Sequence, residues 1–185
     1  SAAALRQALG DATSESDQLF AMETLSATSL EAVREYSLAM EALTHGENEQ
    51  ARDIFSKTVD LDPNFGLSYA GMAIASKNLS QDAEANKYIQ EAVKHIDRMS
   101  ERERYRTRGL FYYLTENYPK CVEEYGALIT RYASDVSAHQ NLGLCAMWLR
   151  DMPKAIEVTR KATEILPNRP PYWSNLALFE SLAGN

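Results

Sequence analysis

Long apolar runs are missing from this chain. Nowhere do about 20 apolar residues follow one another, so no segment is suited to crossing a bilayer as a helix. The opening residues, SAAALRQALG, lack the basic-then-apolar order of a secretory leader. Cysteine is nearly absent: Cys121 and Cys145 make no disulfide framework, and each is expected to act as a small buried hydrophobe. Six prolines and eight glycines are few, which excludes collagen-like and low-complexity chains and fits helices joined by short turns. Positive charge is the scarcer sign. With 19 Lys and Arg against 26 Asp and Glu, the net charge of −7 argues against a general nucleic-acid binder, which needs a basic face to displace counterions. Histidine is rarer still: His45, His95 and His139 include no pair four residues apart and no HExxH. A GxGxxG loop, a GxxxxGK[ST] loop and a GxSxG elbow are also missing. No catalytic residues, metal ligands or cofactor site are expected within these residues.

What is present is a beat. The stretch Val136 to Arg169 reads VSAHQNLGLCAMWLRDMPKAIEVTRKATEILPNR. Leu142 and Gly143, then Ala155 and Ala162, are small or apolar residues at offsets that let two short antiparallel helices cross closely, and Pro167 stops the second helix. The same slots recur from Ala32 to Phe65 with Leu38, Ala39, Ala51, Phe55, Thr58 and Pro63. They recur from Gly66 to Met99 with Met72, Ala73, Ala85, Ile89 and Ala92. After Ser100 and Glu101, two extra residues, they recur from Arg102 to Asp135 with Gly109, Cys121, Tyr125 and Leu128. A further unit opens at Pro170 with Trp173, Leu176 and Ala177 and stops after one helix at Asn185, as a fragment of a longer chain would. This pattern resembles the tetratricopeptide repeat, a 34-residue helix–turn–helix unit. The resemblance implies an all-α solenoid, a right-handed superhelix of stacked helix pairs over residues 28–185, each unit touching only its neighbours.

Local signals place the ends of the helices. Thr28 with Glu31 fits a capping box that starts the first helix near Ser29, and Ser100 with Glu103 fits another. Gly46 supplies the turn inside the first pair; residues 78–81, 116–118 and 150–152 take that place later. Pro119 and Pro153 come right after those turns, where a first helical residue has no use for its N–H. Residues 1–27 stand outside the beat as a linker or capping segment. Their Asp11-to-Gln18 run is polar, but Leu19, Phe20, Met22 and Leu25 are too apolar to leave in water. They either cap the open edge of the first repeat or lie in the groove as an internal peptide.

In such a solenoid the first helices line a concave face. Read in register, that face offers Tyr36, Met40 and Leu43, then Ile74, Lys77 and Asn78, then Arg106, Leu110 and Tyr113. Gln140, Asn141, Leu144, Met147 and Trp148 follow, and Asn175 and Leu178 close the series. An apolar trough with a few amides and cations suits an extended peptide or a partner helix. The leucines can equally pack helix against helix, whereas Arg106 and Asn141 have less use in a core. Arg102, Arg104, Arg106 and Arg108 alternate with glutamates and are expected to form a solvated, ion-paired segment. Arg108 is out of place, because Leu38, Met72, Leu142 and Leu176 hold its slot elsewhere; its stem must reach outward or its charge must meet a carboxylate. Some tetratricopeptide domains grip a peptide's terminal carboxylate with two lysines, an arginine and two asparagines, and only Asn141 fits that scheme here.

Two segments carry a narrower resemblance. Ser29 to Ala70 and Met99 to Ile129 are similar to the tetratricopeptide region downstream of bacterial serine/threonine kinase domains, or of winged-helix regulators. LRQALGDATSESDQLFAMETLSATS is similar to what precedes the repeats there. This resemblance implies a non-catalytic sensory or scaffolding region that binds a protein or peptide partner. It leaves the location open: cytoplasmic, or extracytoplasmic if a membrane helix separates kinase from repeats, as it often does in those proteins. Self-association through residues 170–185 is the competing expectation.

Overall fold

A computed structural model describes residues 29–184. Its helices are α1 (Leu30–Thr44), α2 (Asn48–Leu61), α3 (Gly66–Asn78), α4 (Asp82–Lys94), α5 (Glu101–Leu114), α6 (Tyr118–Arg131), α7 (Val136–Trp148), α8 (Met152–Ile165) and α9 (Pro170–Leu182). A short 3-10 turn (Ile96–Arg98) lies between α4 and α5, where the two extra residues fall. Each helix packs on its sequence neighbours, giving antiparallel pairs stacked in a row. Among the described residues there are only helices and turns, and no helix is long and apolar enough to cross a membrane.

The register explains the packing. Gly109 lies so close to the Tyr125 ring that a Cβ would meet Tyr125 Cε2 at 2.6 Å, and Gly71 and Gly143 press equally on Phe55 and Thr159. Small residues therefore let a first helix seat a larger side chain of its own partner helix at Gly109 and Gly143, and of the preceding unit's second helix at Gly71. Phe55, Tyr125, Ile89 and Leu128 are fully buried as a result. Helix ends follow side-chain caps: Ser100 and Glu103 form the reciprocal capping box, Asn117 caps α6, and Asp151 caps α8. The turn after each first helix puts one residue in the left-handed region: Gly46, Ser80, Glu116, Arg150 and Gly184, all at the same place in the unit.

Some expectations need correction. Ser29, not a Thr28–Glu31 box, caps α1 by accepting from the Ala32 N–H; Thr28 lies outside the described residues, as do the capping and groove readings of residues 1–27. Pro119 and Pro153 are second, not first, in their helices, a position whose N–H is also left over at a helix start. Leu38 is 43% exposed, unlike its buried counterparts Met72, Leu142 and Leu176, because those pack against a preceding unit. Cys121 and Cys145 are not free. Both are fully buried, their Cα atoms are 6.1 Å apart, and they are joined as a disulfide linking α6 to α7. The small slot of a second helix faces the next first helix, as Ala155 faces Phe179 one unit later, and here both partners are cysteine.

Candidate groove centred on Arg106 and Asp135

The first helices of successive units together line a cavity of about 370 Å³. Met40, Leu43 and Thr44 of α1 and Ile74 and Asn78 of α3 form an apolar and amide wall. Arg102 and Arg106 of α5, the Ser134–Ser137 segment at the start of α7, and Arg169, Pro171 and Tyr172 at the start of α9 complete it.

Its polar centre is built by two helices. Arg102 and Arg106, four residues apart, share one face of α5. Asp135 caps α7, accepting from the Ala138 N–H at 3.0 Å through Oδ1. Its Oδ2 accepts from Arg102 Nε at 2.8 Å and from Arg106 Nε and Nη2 at 2.9 and 2.6 Å. The Asp135 side chain is wholly buried, and Arg102 nearly so. Burial alone would raise the Asp135 pKa, but the Arg106 charge, then the bond and charge of Arg102, and the Ala138 N–H outweigh it and hold the carboxyl below its usual value. The expectation of a solvated arginine run is thereby corrected: Arg102 is buried against a carboxylate 33 residues away, contributed by another helix start. Arg108 does meet a carboxylate, Glu124 at 2.9 Å, and its guanidinium lies over the Tyr105 ring.

The residues expected to line the groove divide. Met40 and Arg106 line the cavity, with Leu43, Ile74 and Asn78 beside them. Tyr36 is instead buried, its ring packed on Phe55 and Phe65. Its phenol pKa is driven up by burial. Lys77 turns to Asp82 at 2.7 Å. Asn141 donates to the Tyr125 hydroxyl at 3.1 Å, and Asn175 and Met147 are half-buried. Tyr113 meets Tyr118 edge-on, and Tyr118 stacks on the exposed Trp148 with ring centroids 5.5 Å apart. Gln140 is only 6% exposed, and neither side-chain amide atom has a hydrogen-bond partner.

Asp135 and Arg169 escaped the sequence reading, and Arg102 was read only as a solvated residue, yet a signal existed for the first two. The last position of each unit holds Phe65, Met99, Asp135 and Arg169 in turn; the first two are buried apolar plugs, and the next two are charged.

The repeating geometry recurs in solved structures. PilW, a type IV pilus biogenesis factor, superimposes with a TM-score of 0.61 at 19% identity over 85% of this chain and 72% of that one. Pseudomonas aeruginosa PilF gives 0.55 at 20% identity over 80% and 67%. The human IFIT1 dimer with m7Gppp-AAAA gives 0.64 at 23% identity over 83% of this chain and 38% of that one. The fold is a tetratricopeptide solenoid. No family model matches the sequence, and no curated protein does.

One end of the tetratricopeptide stack is apolar. On α9, Trp173, Leu178 and Leu182 are all about half exposed, although the Trp173 ring N–H is held by the Pro167 carbonyl at 2.8 Å. Among the described residues no group of three or more His, Cys, Asp or Glu could hold a metal ion.

Proposed function

We propose that this tetratricopeptide domain is a non-catalytic interaction module that takes an extended peptide or partner helix into its concave groove. It would serve as the sensory or scaffolding part of a larger bacterial signalling protein such as a serine/threonine kinase. The observation that carries this reading is the convergence of α1, α3, α5 and the starts of α7 and α9 on one cavity, apolar at Met40, Leu43 and Ile74 and cationic at Arg102, Arg106 and Arg169. Apolar side chains of a ligand fill the first part, and its carboxylates or carbonyls meet the second.

Panning a random-peptide phage library on the intact chain supplies ligands for the test. Asn78→Ala combined with Arg169→Glu changes the rim without touching the Asp135 pairs. Loss of one good polar contact weakens a groove ligand about tenfold. Unchanged affinity of every selected peptide overturns the reading.

The exposed apolar side chains of α9 favour self-association as a second reading. Light scattering of the intact chain and of Leu178→Asp/Leu182→Asp decides it, since a monomer in both cases removes it.

A further inference from the structure

We infer that a second recess, between α4 and α5, binds a small zwitterion with an apolar side chain, the chemistry of an apolar α-amino acid. This goes beyond the groove reading and stands apart from it, since the recess shares no lining residue with the groove cavity.

The recess comes from three departures from the repeat. Met72, Leu142 and Leu176 occupy one slot of their units and are buried there. In α5 that slot holds Arg108, whose guanidinium leaves for Glu124 at 2.9 Å. One turn earlier, Arg104 stands where the neighbouring units place Ser68 and Ala138, both fully buried. The two extra residues before α5 accompany the 3-10 turn Ile96–Arg98, which brings Ile96 and Asp97 to the recess. The result is a cavity of about 440 Å³, within the roughly 300–1,000 Å³ of small-molecule pockets. Val93, Ile96, Tyr105, Phe111 and Tyr112 form its floor, and all five are only half-buried. Packing that recurs in every unit does not account for this space.

Charge names the ligand. Four charged residues line the recess, and two of them are satisfied within the fold. Arg108 is held by Glu124, and Glu101 by Arg131 at 2.9 Å and by the Tyr132 hydroxyl. Arg104 and Asp97 are left over. Neither side chain has an ion pair or hydrogen bond among the described residues, although Arg104 is half-buried. One unpaired cation and one unpaired anion beside an apolar and aromatic floor complement a ligand that carries both charges. Its carboxylate meets the Arg104 fork in charge-assisted hydrogen bonds, and its ammonium meets Asp97. Its aliphatic or aromatic body is buried against Tyr105, Phe111 and Tyr112. A simple anion would leave Asp97 unanswered, and a simple cation would leave Arg104 so.

Calorimetric titration of the intact chain tests this with L-leucine, L-phenylalanine, phenylacetate and phenethylamine. Both amino acids are expected to bind at millimolar concentration. Each single-charge probe is expected to bind about tenfold more weakly than phenylalanine, the loss of one good polar contact. Arg104→Met keeps an apolar stem and is expected to weaken phenylalanine about tenfold, to the level of phenethylamine. Asp97→Asn changes only an exposed turn residue and is expected to bring phenylalanine down to phenylacetate. Arg108→Leu with Glu124→Gln restores the apolar slot and is expected to remove binding of every probe. Amide NMR shifts on adding phenylalanine are expected within residues 93–112. The proposal is overturned by no binding of either amino acid, or by equal affinity for phenylalanine and phenylacetate. Unchanged phenylalanine affinity in Arg104→Met and Asp97→Asn, or binding that survives the refilled slot, overturns it as well. Shifts centred on Met40, Leu43 and Ile74 also overturn it, while leaving the groove reading in place.

Discussion

Arg106 holds Asp135 through two N–H donors, at 2.9 and 2.6 Å, across 29 residues of sequence. The same carboxylate takes Arg102 and caps α7, so one side chain ties the third repeat to the fourth. Asp135→Ala leaves two guanidiniums facing a buried space without their carboxylate, and is expected to cost about 3–5 kcal/mol in urea unfolding. Asp135→Asn keeps an oxygen for the Ala138 N–H and should cost less.

Asp135 also predicts an acid dependence. Its folded pKa is depressed, so its stabilisation is fully present above the ordinary carboxylate value near 4. It is lost as pH falls through the lower, folded value. Urea midpoints measured between about pH 5 and pH 2 should therefore fall less steeply in Asp135→Asn than in the parent chain. Parallel slopes would show that other carboxylates carry the acid sensitivity.

The disulfide predicts a redox dependence. Cys121 and Cys145 close a loop over 24 positions between adjacent repeats. Loop-closure entropy assigns such a bridge roughly 3 kcal/mol. Reductant should lower the melting temperature by roughly 5–10 °C, and Cys121→Ala/Cys145→Ala should melt near the reduced chain and ignore reductant. Identical melting of oxidised and reduced protein would show that the bridge adds nothing.

Two glycines with the same local backbone should answer oppositely to alanine. In α5, a Cβ on Gly109 meets the Tyr125 ring at 2.6 Å, and Tyr125 is fixed by its own burial. The helix propensity gained is outweighed by overpacking, and Gly109→Ala is expected to destabilise by about 1–3 kcal/mol. Gly126 in α6 faces open space, so Gly126→Ala is expected to stabilise by up to about 1 kcal/mol. Thermal unfolding of both variants checks the pair.

These contrasts mark what the sequence discloses. Helix pairs, their length and their turns follow from recurring small residues and from proline, because packing at a fixed offset repeats in every unit. Thus Ala39, Ala73, Gly109 and Gly143 pointed to the crossings before any coordinates. The Asp135 centre breaks the repeat, and a pattern reader sees only what recurs. Arg102 looked solvated because its partner lies a full repeat away, and Tyr36 looked accessible because Phe55 and Phe65 close over it only in three dimensions. Cys121 and Cys145 each read as small apolar residues because the disulfide belongs to the contact between two units, and neither unit alone reveals it.

The left-handed residue inside each helix pair carries the last expectation. Gly46 meets this requirement without strain, but Ser80, Glu116 and Arg150 adopt φ near +60° with a Cβ in place. An L side chain in this region costs roughly 1–2 kcal/mol, whereas glycine enters it freely. Glycine also loses more entropy on folding, which recovers part of that cost. The balance for Glu116→Gly and Arg150→Gly should be a gain of about 0.5–1 kcal/mol each. Both residues are exposed, and neither turn lies among the residues lining the groove. The two substitutions sit in separate units and should add, raising the urea midpoint together without altering groove-peptide affinity. A lower midpoint in either variant would show that the side chain holds its turn by contacts worth more than the strain.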